Sequence, residues 1–254
     1  MSPRPGIAAK LASLLLAFVW SAFAGAGEFV INPLRVTLDR TTRATEIVVR
    51  NDDKAPLRLQ VEAMRWTQNS QGADEYEPSD GLLYFPRTME IPPGESRIVR
   101  VGVRGAPVSS EDAYRLFIEE LPPASAADDQ AAGTSLRIFL RVGVAVFVAP
   151  AQPDRKAEIT RLAMAGRQVE WSVKNVGNVH IRADQIEIAG VSRDGRRLFV
   201  TPFPDKYFLP GISRTMRFDV PADLCGSVAA IEASVLADRV NVARKLDVDP
   251  GACK

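Results

Sequence analysis

The chain has 254 residues, with 32 lysines and arginines against 31 aspartates and glutamates, one histidine and two cysteines. The near-zero net charge offers no basic excess of the kind that a nucleic-acid-binding domain normally carries. A single histidine and two cysteines cannot form the common zinc sites with several such ligands, and a catalytic triad would have to use His180. Composition therefore disfavours nucleic-acid binding, metal sites and triad hydrolases.

The first 26 residues have the pattern of a secretory signal peptide. Arg4 and Lys10 give a positively charged start, residues 11–24 are almost wholly apolar, and small residues follow. A membrane anchor is the alternative, but the run is shorter than the about 20 apolar residues that a span needs. We expect cleavage after Ala26 or Ala24, export, and no insertion of the mature chain into the membrane.

From Phe29 onward, short alternating segments are separated by turn residues. Apolar residues recur with a period of about two in residues 36–38, 47–49, 57–63 and 98–103. Similar runs follow at residues 168–175, 181–188, 215–220 and 229–237, and Asp194 with Gly195 marks a turn. Since no stretch keeps a helical period, the pattern predicts an all-β fold of the sandwich type.

A segment with two prolines, residues 150–154, separates these two sets of strands. Each half then has about 100 residues, the usual size of an immunoglobulin-like domain. We therefore expect an all-β protein with two immunoglobulin-like β-sandwich domains in tandem. Residues 1–26 would form the cleaved signal peptide, residues 27–150 the first domain and residues 151–254 the second.

The predicted strand at residues 135–149 differs from the others in length and pattern. An apolar residue occupies each even position, namely Leu136, Ile138, Leu140, Val142, Val144, Val146 and Val148. The run has about thirteen residues, whereas strands usually have five or six, and the core of one sandwich does not require so long a row. Two interpretations remain open: a hairpin strand buried by its own domain, or an edge strand that offers its side chains to another chain.

The only two cysteines, Cys225 and Cys253, lie near the C-terminus. Export permits a disulfide between them, which would tie the C-terminal tail to the body of the second half. Two reduced, buried thiols are the alternative. Neither cysteine belongs to a Cys-x-x-Cys motif, which disfavours a redox enzyme.

Four fragments, taken in order, resemble the PapD-like periplasmic pilus chaperones of the chaperone–usher pathway. They are the first strand with Arg35, a proline turn with its following strand, a strand that ends in two prolines, and the close of the long strand: residues 32–36, 91–101, 114–123 and 147–150. The resemblance covers residues 29–150 and extends loosely to the C-terminus. It implies a periplasmic protein with the two-sandwich fold of that family.

The resemblance also implies a function. Such chaperones bind pilus subunits whose immunoglobulin-like fold lacks its last strand, and they deliver these subunits to an outer-membrane usher without catalysis or a cofactor. The donor residues here would be Leu136, Ile138, Leu140 and Val142. Burial of each such side chain contributes about 1.5–3 kcal/mol, so these residues would dominate the affinity.

Members of this family usually hold the carboxylate at the subunit's C-terminus with two basic residues. The resemblance places Arg35 at the first position, where an arginine would supply charge-assisted hydrogen bonds. The second position falls on Ala145, so Arg97, Arg100 and Arg141 are the candidates to complete the anchor, unless they are solvated surface charges. This departure and the valine-rich strand resemble the archaic or alternative branch of the family.

Two other classes of function compete with the chaperone hypothesis. A secreted structural subunit or surface protein with immunoglobulin-like domains is the main alternative. An exported enzyme is disfavoured because the sequence offers no Ser/His/Asp or Cys/His set. We interpret His180 as an ordinary strand or turn residue.

Overall fold

The structure is a computed structural model that describes residues 29–69, 71–105, 108–122, 138–204, 207–237, 240–249 and 251–252. The predicted signal peptide, Leu136 and Cys253 lie outside the described residues. Over the described ranges, no helix has the length and hydropathy that a membrane span requires.

The first half of the chain forms a sandwich of two antiparallel or mixed sheets. Its strands are β1 (Phe29–Asn32), β2 (Arg35–Leu38), β3 (Ala44–Asn51), β4 (Leu57–Gln68), β5 (Asp74–Pro78), β6 (Leu82–Phe85), β7 (Thr88–Ile91), β8 (Ser96–Val103), β9 (Asp112–Glu120) and β10 (Arg141–Val148). One sheet has the order β1-β3-β8-β6. The other has the order β2-β10-β9-β4-β5, and β7 also pairs with β4.

The second half forms another sandwich. Its elements are β11 (Ala157–Ala165), β12 (Gln168–Asn175), β13 (Ile181–Val191), β14 (Arg197–Phe203), β15 (Tyr207–Phe208), β16 (Ser213–Asp219), α1 (Ala222–Cys225), β17 (Ala230–Ala237) and β18 (Val240–Asp247). The sheet β11-β12-β16 faces the sheet β14-β13-β17-β18, and β15 pairs with the start of β13. The predicted all-β fold of two sandwiches is confirmed.

Each sandwich has its own core because alternate residues of a strand point to opposite faces of the sheet. The first core is built on fully buried side chains such as Leu59, Ile118 and Val146. The second surrounds Trp171 and Ile188. Leu59, Val146, Trp171 and Ile188 fall in the alternating segments, so burial of one strand face explains the period of two in strands such as β4.

Two local features of the second domain bear on its stability. The turn between β13 and β14 places Gly195 at a φ of 83°, in the region that favours glycine. Cys225, at the end of α1, is buried and disulfide-bonded. Cys253 lies outside the described residues, so its pairing with Cys225 stays a prediction.

The two domains meet through an aromatic cluster. Trp66 and Phe147 of the first domain pack with Tyr207 of the second, and the Trp66 and Tyr207 ring centroids are 5.3 Å apart. The side chain of Gln68 adds polar contacts across the interface. Its Nε2 donates to the Tyr207 carbonyl at 3.1 Å, and its Oε1 accepts from the Leu209 backbone amide at 3.1 Å. Apolar packing and satisfied hydrogen bonds therefore hold the domains against each other.

Candidate functional site

Strand β10 has neighbours on both sides along only part of its length. All of it, Arg141–Val148, pairs antiparallel with β9, whereas only its second half pairs, in parallel, with β2. The amide of Ala145 donates to the Leu34 carbonyl at 3.0 Å, and backbone groups two residues apart point to the same side of a strand. The backbone groups of Arg141 and Gly143 therefore face an edge at which no described strand pairs.

The apolar row of β10 divides into a buried part and an exposed part. Val144, Val146 and Val148 lie in the core of the first domain, and Val142 packs against that core. Further up the chain, Leu140 is 39% exposed and Ile138 is 68% exposed. Burial by the chain's own domain thus accounts for the row only from Val142 onward.

The strand is shorter than the sequence predicts for residues 135–149. It begins at Arg141, and residues 138–140 lead into it without forming part of it. Its partner β9 ends at Glu120, whose amide donates to the Leu140 carbonyl at 2.9 Å. Pairing with β10 stops there because the Leu121 amide donates to the Arg58 carbonyl at 2.8 Å and Pro122 has no amide hydrogen to donate. Ile138 and Leu140 consequently extend past the edge of the sandwich.

A glycine shapes the outer face of this free edge. A Cβ atom at Gly143 would lie 3.1 Å from Cε1 of Phe117, so the phenylalanine ring covers the strand where glycine leaves room. The guanidinium of Arg141 lies 4.0 Å from the centre of the same ring. The ring of Tyr76 meets that of Phe117 edge-on, with ring centroids 5.2 Å apart. Burial and, to a smaller extent, the charge of Asp74 raise the pKa of the Tyr76 hydroxyl.

A basic cleft lies at the end of the free edge, between the two domains. It has a volume of about 150 Å³ and is lined by Arg35 and Thr37 of β2, Arg155 after the linker, His180 just before β13, and Ile181 and Arg182 at the start of β13. All three arginines are exposed. Among the described residues, no carboxylate forms an ion pair with any of them. The cleft is therefore lined by three arginines that have no ion-pair partner in the described part of the chain.

The other predicted anchor residues do not reach this cleft. Arg100 lies on β8, in the opposite sheet, and its Nε is 3.1 Å from Glu46. Arg141 is held by Glu119 at 3.3 Å and by Glu62 at 3.5 Å. The structure brings neither residue to Arg35. Arg97, also on β8, pairs with Glu95 at 2.8 Å.

Sequence reasoning missed Arg155 and Arg182. Both belong to the second half of the chain, and the only local signal is that Arg155 follows the proline-containing linker while Arg182 follows the single histidine closely. Position 145 is occupied by an alanine that is 2% exposed and packs in the interdomain cluster with Trp66 and Leu209. The two further arginines of the cleft, Arg155 and Arg182, therefore come from the second half of the chain rather than from β10.

His180 lines the cleft and is bound to the buried Glu111 of the first domain. One carboxylate oxygen of Glu111 is 2.7 Å from Nδ1 of His180 and also accepts a hydrogen bond from the His180 amide at 2.8 Å. The imidazole ring stacks on Phe147 of β10 with centroids 3.6 Å apart. This histidine thus connects the two domains, a role that its position in the sequence does not reveal.

A family model described as pili and flagellar-assembly chaperone, PapD N-terminal domain, matches residues 28–154. The chain belongs to this family. No curated protein matches significantly.

Several solved structures share the fold of this family member. A chain of the CsuC–CsuE chaperone–tip adhesion subunit pre-assembly complex of Acinetobacter baumannii is 16% identical, with 86% of this chain and 97% of that chain covered and a TM-score of 0.56. The class 5 fimbriae chaperone CfaA is 15% identical, with 87% and 100% covered and a TM-score of 0.59. A chain of the SafA pilin–SafB chaperone complex of Salmonella enterica is 15% identical, with 88% and 98% covered and a TM-score of 0.53.

Proposed function

We propose that this family member is a periplasmic chaperone that captures pilus subunits along the free edge of β10 and delivers them to an outer-membrane usher. The observation that carries the proposal is the position of Ile138 and Leu140. They continue the apolar row of β10 beyond their own core, on an edge that ends at Arg35. A subunit that lacks a strand has the complementary features: an open apolar groove and unpaired backbone groups.

The pairing of β2 predicts the direction of the captured strand. β2 runs parallel to β10, and its residue Arg35 lies opposite Ala145. A second strand that runs parallel along residues 138–144 would end where β2 begins. Its length would be about seven residues, or about 23 Å. Its C-terminus would then lie beside Arg35, and an antiparallel strand would place its N-terminus there.

The charges of the cleft favour the parallel arrangement. A C-terminal carboxylate would meet the guanidinium groups of Arg35, Arg155 and Arg182, which line one cavity and have no carboxylate partner among the described residues. Charge-assisted hydrogen bonds between guanidinium and carboxylate are the strong ones, and they are frequently bidentate. We assign the anchor to these three residues, with Arg35 in the role that the sequence predicts.

Capture and release in this scheme need no catalytic group. Strand pairing makes and breaks only hydrogen bonds and apolar contacts, so no cofactor takes part. Over the described ranges there is no group of three or more histidine, cysteine, aspartate or glutamate side chains suited to a metal ion. Release to an usher would require a competing strand that fills the same groove.

Two of the predicted donors differ from Ile138 and Leu140. Leu136 lies outside the described residues and stays a predicted donor. Val142 is a donor only in part, because its side chain packs on the core of its own domain.

Co-expression in a bacterial periplasm tests the proposal. The full chain is produced with an exported pilus subunit that lacks its last strand, and the subunit that co-purifies with the chain is quantified. Replacement of Ile138 and Leu140 by aspartate should abolish capture, because two charges would enter an apolar groove. The matched control is Leu83→Asp, at a leucine that is 47% exposed on β6 of the opposite sheet. Equal recovery by the double variant and the control would overturn strand donation.

A further inference from the structure

Asn178, in the turn between β12 and β13, is the centre of a hydrogen-bond network that joins three parts of the chain. Its amide donates to the Asp154 carbonyl at 3.0 Å, and its side-chain Oδ1 accepts from the Asp154 amide at 2.7 Å. Its side-chain Nδ2 donates to the carbonyls of Gln152 at 3.0 Å and Ser109 at 3.2 Å. Its own carbonyl accepts from the Glu111 amide at 2.8 Å.

These partners belong to different structural units. Gln152 and Asp154 lie in the linker, and Ser109 and Glu111 lie in the loop before β9 of the first domain. The backbone and side-chain groups of one asparagine are therefore all used to fix the second domain to the first domain and to the linker. These contacts require a short side chain that carries both a hydrogen-bond donor and an acceptor, and the amide of asparagine supplies both.

The network determines where two of the cleft arginines lie. Arg155 directly follows Asp154, which Asn178 holds by two hydrogen bonds. Arg182 lies two residues after His180, whose amide donates to the Glu111 carboxylate at 2.8 Å, and the Glu111 amide in turn donates to the Asn178 carbonyl at 2.8 Å. Arg35 belongs to the first domain. The contacts of Asn178 thus act together with the aromatic cluster and Gln68 in placing Arg155 and Arg182 relative to Arg35.

Gly177 shows how closely the linker approaches this turn. A Cβ atom at position 177 would lie 2.3 Å from the Asp154 carbonyl oxygen and 2.8 Å from the Lys156 amide nitrogen. Both are backbone atoms, which cannot move aside as a flexible side chain would. Only glycine at position 177 permits the linker to lie against Asn178.

We propose that Asn178 is a positioning residue that sets the width of the basic cleft and thereby the chain's preference for a free carboxylate. This inference rests on the proposed function, because it assumes that the cleft receives the C-terminus of a captured strand. Asn178 itself does not line the cleft. It acts through the backbone from which Arg155 and Arg182 extend into the lining of the cleft.

The test compares two peptides on the full chain. Both carry the last strand of a captured subunit, one with a free C-terminal carboxylate and one with a C-terminal amide, and their affinities are measured by calorimetry. Wild type should prefer the free carboxylate. Asn178→Asp keeps the size and the acceptor but places an oxygen against the carbonyls of Gln152 and Ser109. This variant should reduce the preference about tenfold and leave the affinity for the amidated peptide unchanged. The control is Asn241→Asp, at an exposed asparagine on β18.

Each result decides a separate question. A purely structural role would lower the affinity for both peptides equally, and that result, or an unchanged preference, would overturn the positioning role of Asn178. A wild-type chain that binds both peptides equally would overturn the carboxylate anchor itself and this inference with it. Failure of wild type to bind either peptide would count against strand capture as a whole. If Asn178→Asp does not fold, Asn178→Ser, which retains a hydroxyl, should show the same selective loss at smaller size.

Discussion

Phe147 of the first domain and His180 of the second stack face to face, with ring centroids 3.6 Å apart and planes inclined by 14°. Phe147 lies between Val146 and Val148 along β10, and its side chain points to the opposite face of the sheet from theirs, which lie in the first core. One strand therefore packs its even positions in its own domain and an odd position against the other domain. The free edge, the interdomain contact and the basic cleft all belong to or adjoin this strand.

Removal of the Phe147 ring should destabilise the chain strongly. The side chain is fully buried and contacts Trp66, His180 and Tyr207. Phe147→Ala should lower the free energy of unfolding by about 3–5 kcal/mol, the usual cost of such a cavity. Urea unfolding followed by tryptophan fluorescence measures this. The matched control is Phe85→Ala, whose ring is 74% exposed. A loss below 1 kcal/mol for Phe147→Ala would show that the domains do not depend on this contact.

Loss of a cleft arginine should weaken subunit capture without affecting the fold. Arg155→Ala and Arg182→Ala each remove a guanidinium that has no ion-pair partner among the described residues. A hydrogen bond to a charged group contributes about 1.5–3 kcal/mol, so each variant should bind the subunit about tenfold more weakly or worse. Arg35→Ala should behave likewise, as measured by titration of purified chaperone with subunit.

Arg100→Ala serves as the control for the arginine variants. Its guanidinium pairs with Glu46, and both residues lie on the sheet opposite β10. The Arg100 side chain is 76% exposed. Capture by this variant should equal that of wild type. If Arg100→Ala weakens capture as much as Arg182→Ala does, general surface charge rather than the cleft governs binding.

Introducing a basic residue at position 145 should destabilise the chain. Ala145 is 2% exposed and packs with Trp66, Phe147 and Leu209. A lysine there would overfill the cluster, at a cost of about 1–3 kcal/mol, and would also bury an ammonium group. Ala145→Lys should therefore lower the melting temperature and should not strengthen capture. The control Ala243→Lys lies on the exposed face of β18 and should melt like wild type; stronger capture by Ala145→Lys would contradict this account of the cleft.

The turn between β13 and β14 should give a pH-dependent contribution to stability. Hydrogen bonds from Ser192 and then Arg196 lower the pKa of the Asp194 carboxyl from 3.8 to about 2. A lowered pKa means that the ionised form stabilises the folded state, so the contribution is present above the unfolded pKa and is lost as the pH falls through about 2. Wild type should be more stable than Asp194→Asn at pH 7, and the difference should disappear near pH 2. A difference in unfolding midpoint that stays constant across this range would contradict the assignment.

The disulfide is tested directly by peptide mapping without reduction. We predict that the fragment with Cys225 is linked to the fragment with Cys253, because these are the only two cysteines. Cys253→Ser should lower the free energy of unfolding by about 2–4 kcal/mol, the typical effect of such a link. Wild type with reductant should match the variant. Detection of two free thiols in the exported protein would show that the prediction is wrong.

The alternating pattern of the sequence predicts the two sandwiches well, because burial of one face leaves a period of two in strands such as β3 and β4. It also identifies the long apolar row, but not the point at which burial ends. That point depends on the ends of β9 and β2, which pair with β10 from distant parts of the chain. Arg155 and Arg182 could not be assigned to the cleft because their closeness to Arg35 arises only when the domains pack together. The assignment to the archaic branch stays a prediction.

The ladder between β2 and β10 closes one end of the free edge. A strand that is added beside residues 138–144 cannot slide toward Val148, because Leu34 and Arg35 already occupy the next pairing positions. A strand in the middle of a polypeptide would have to turn away at that point, whereas a strand that ends there fits. In the proposed complex, this ladder would therefore favour a chain terminus and would limit sliding of the added strand in one direction.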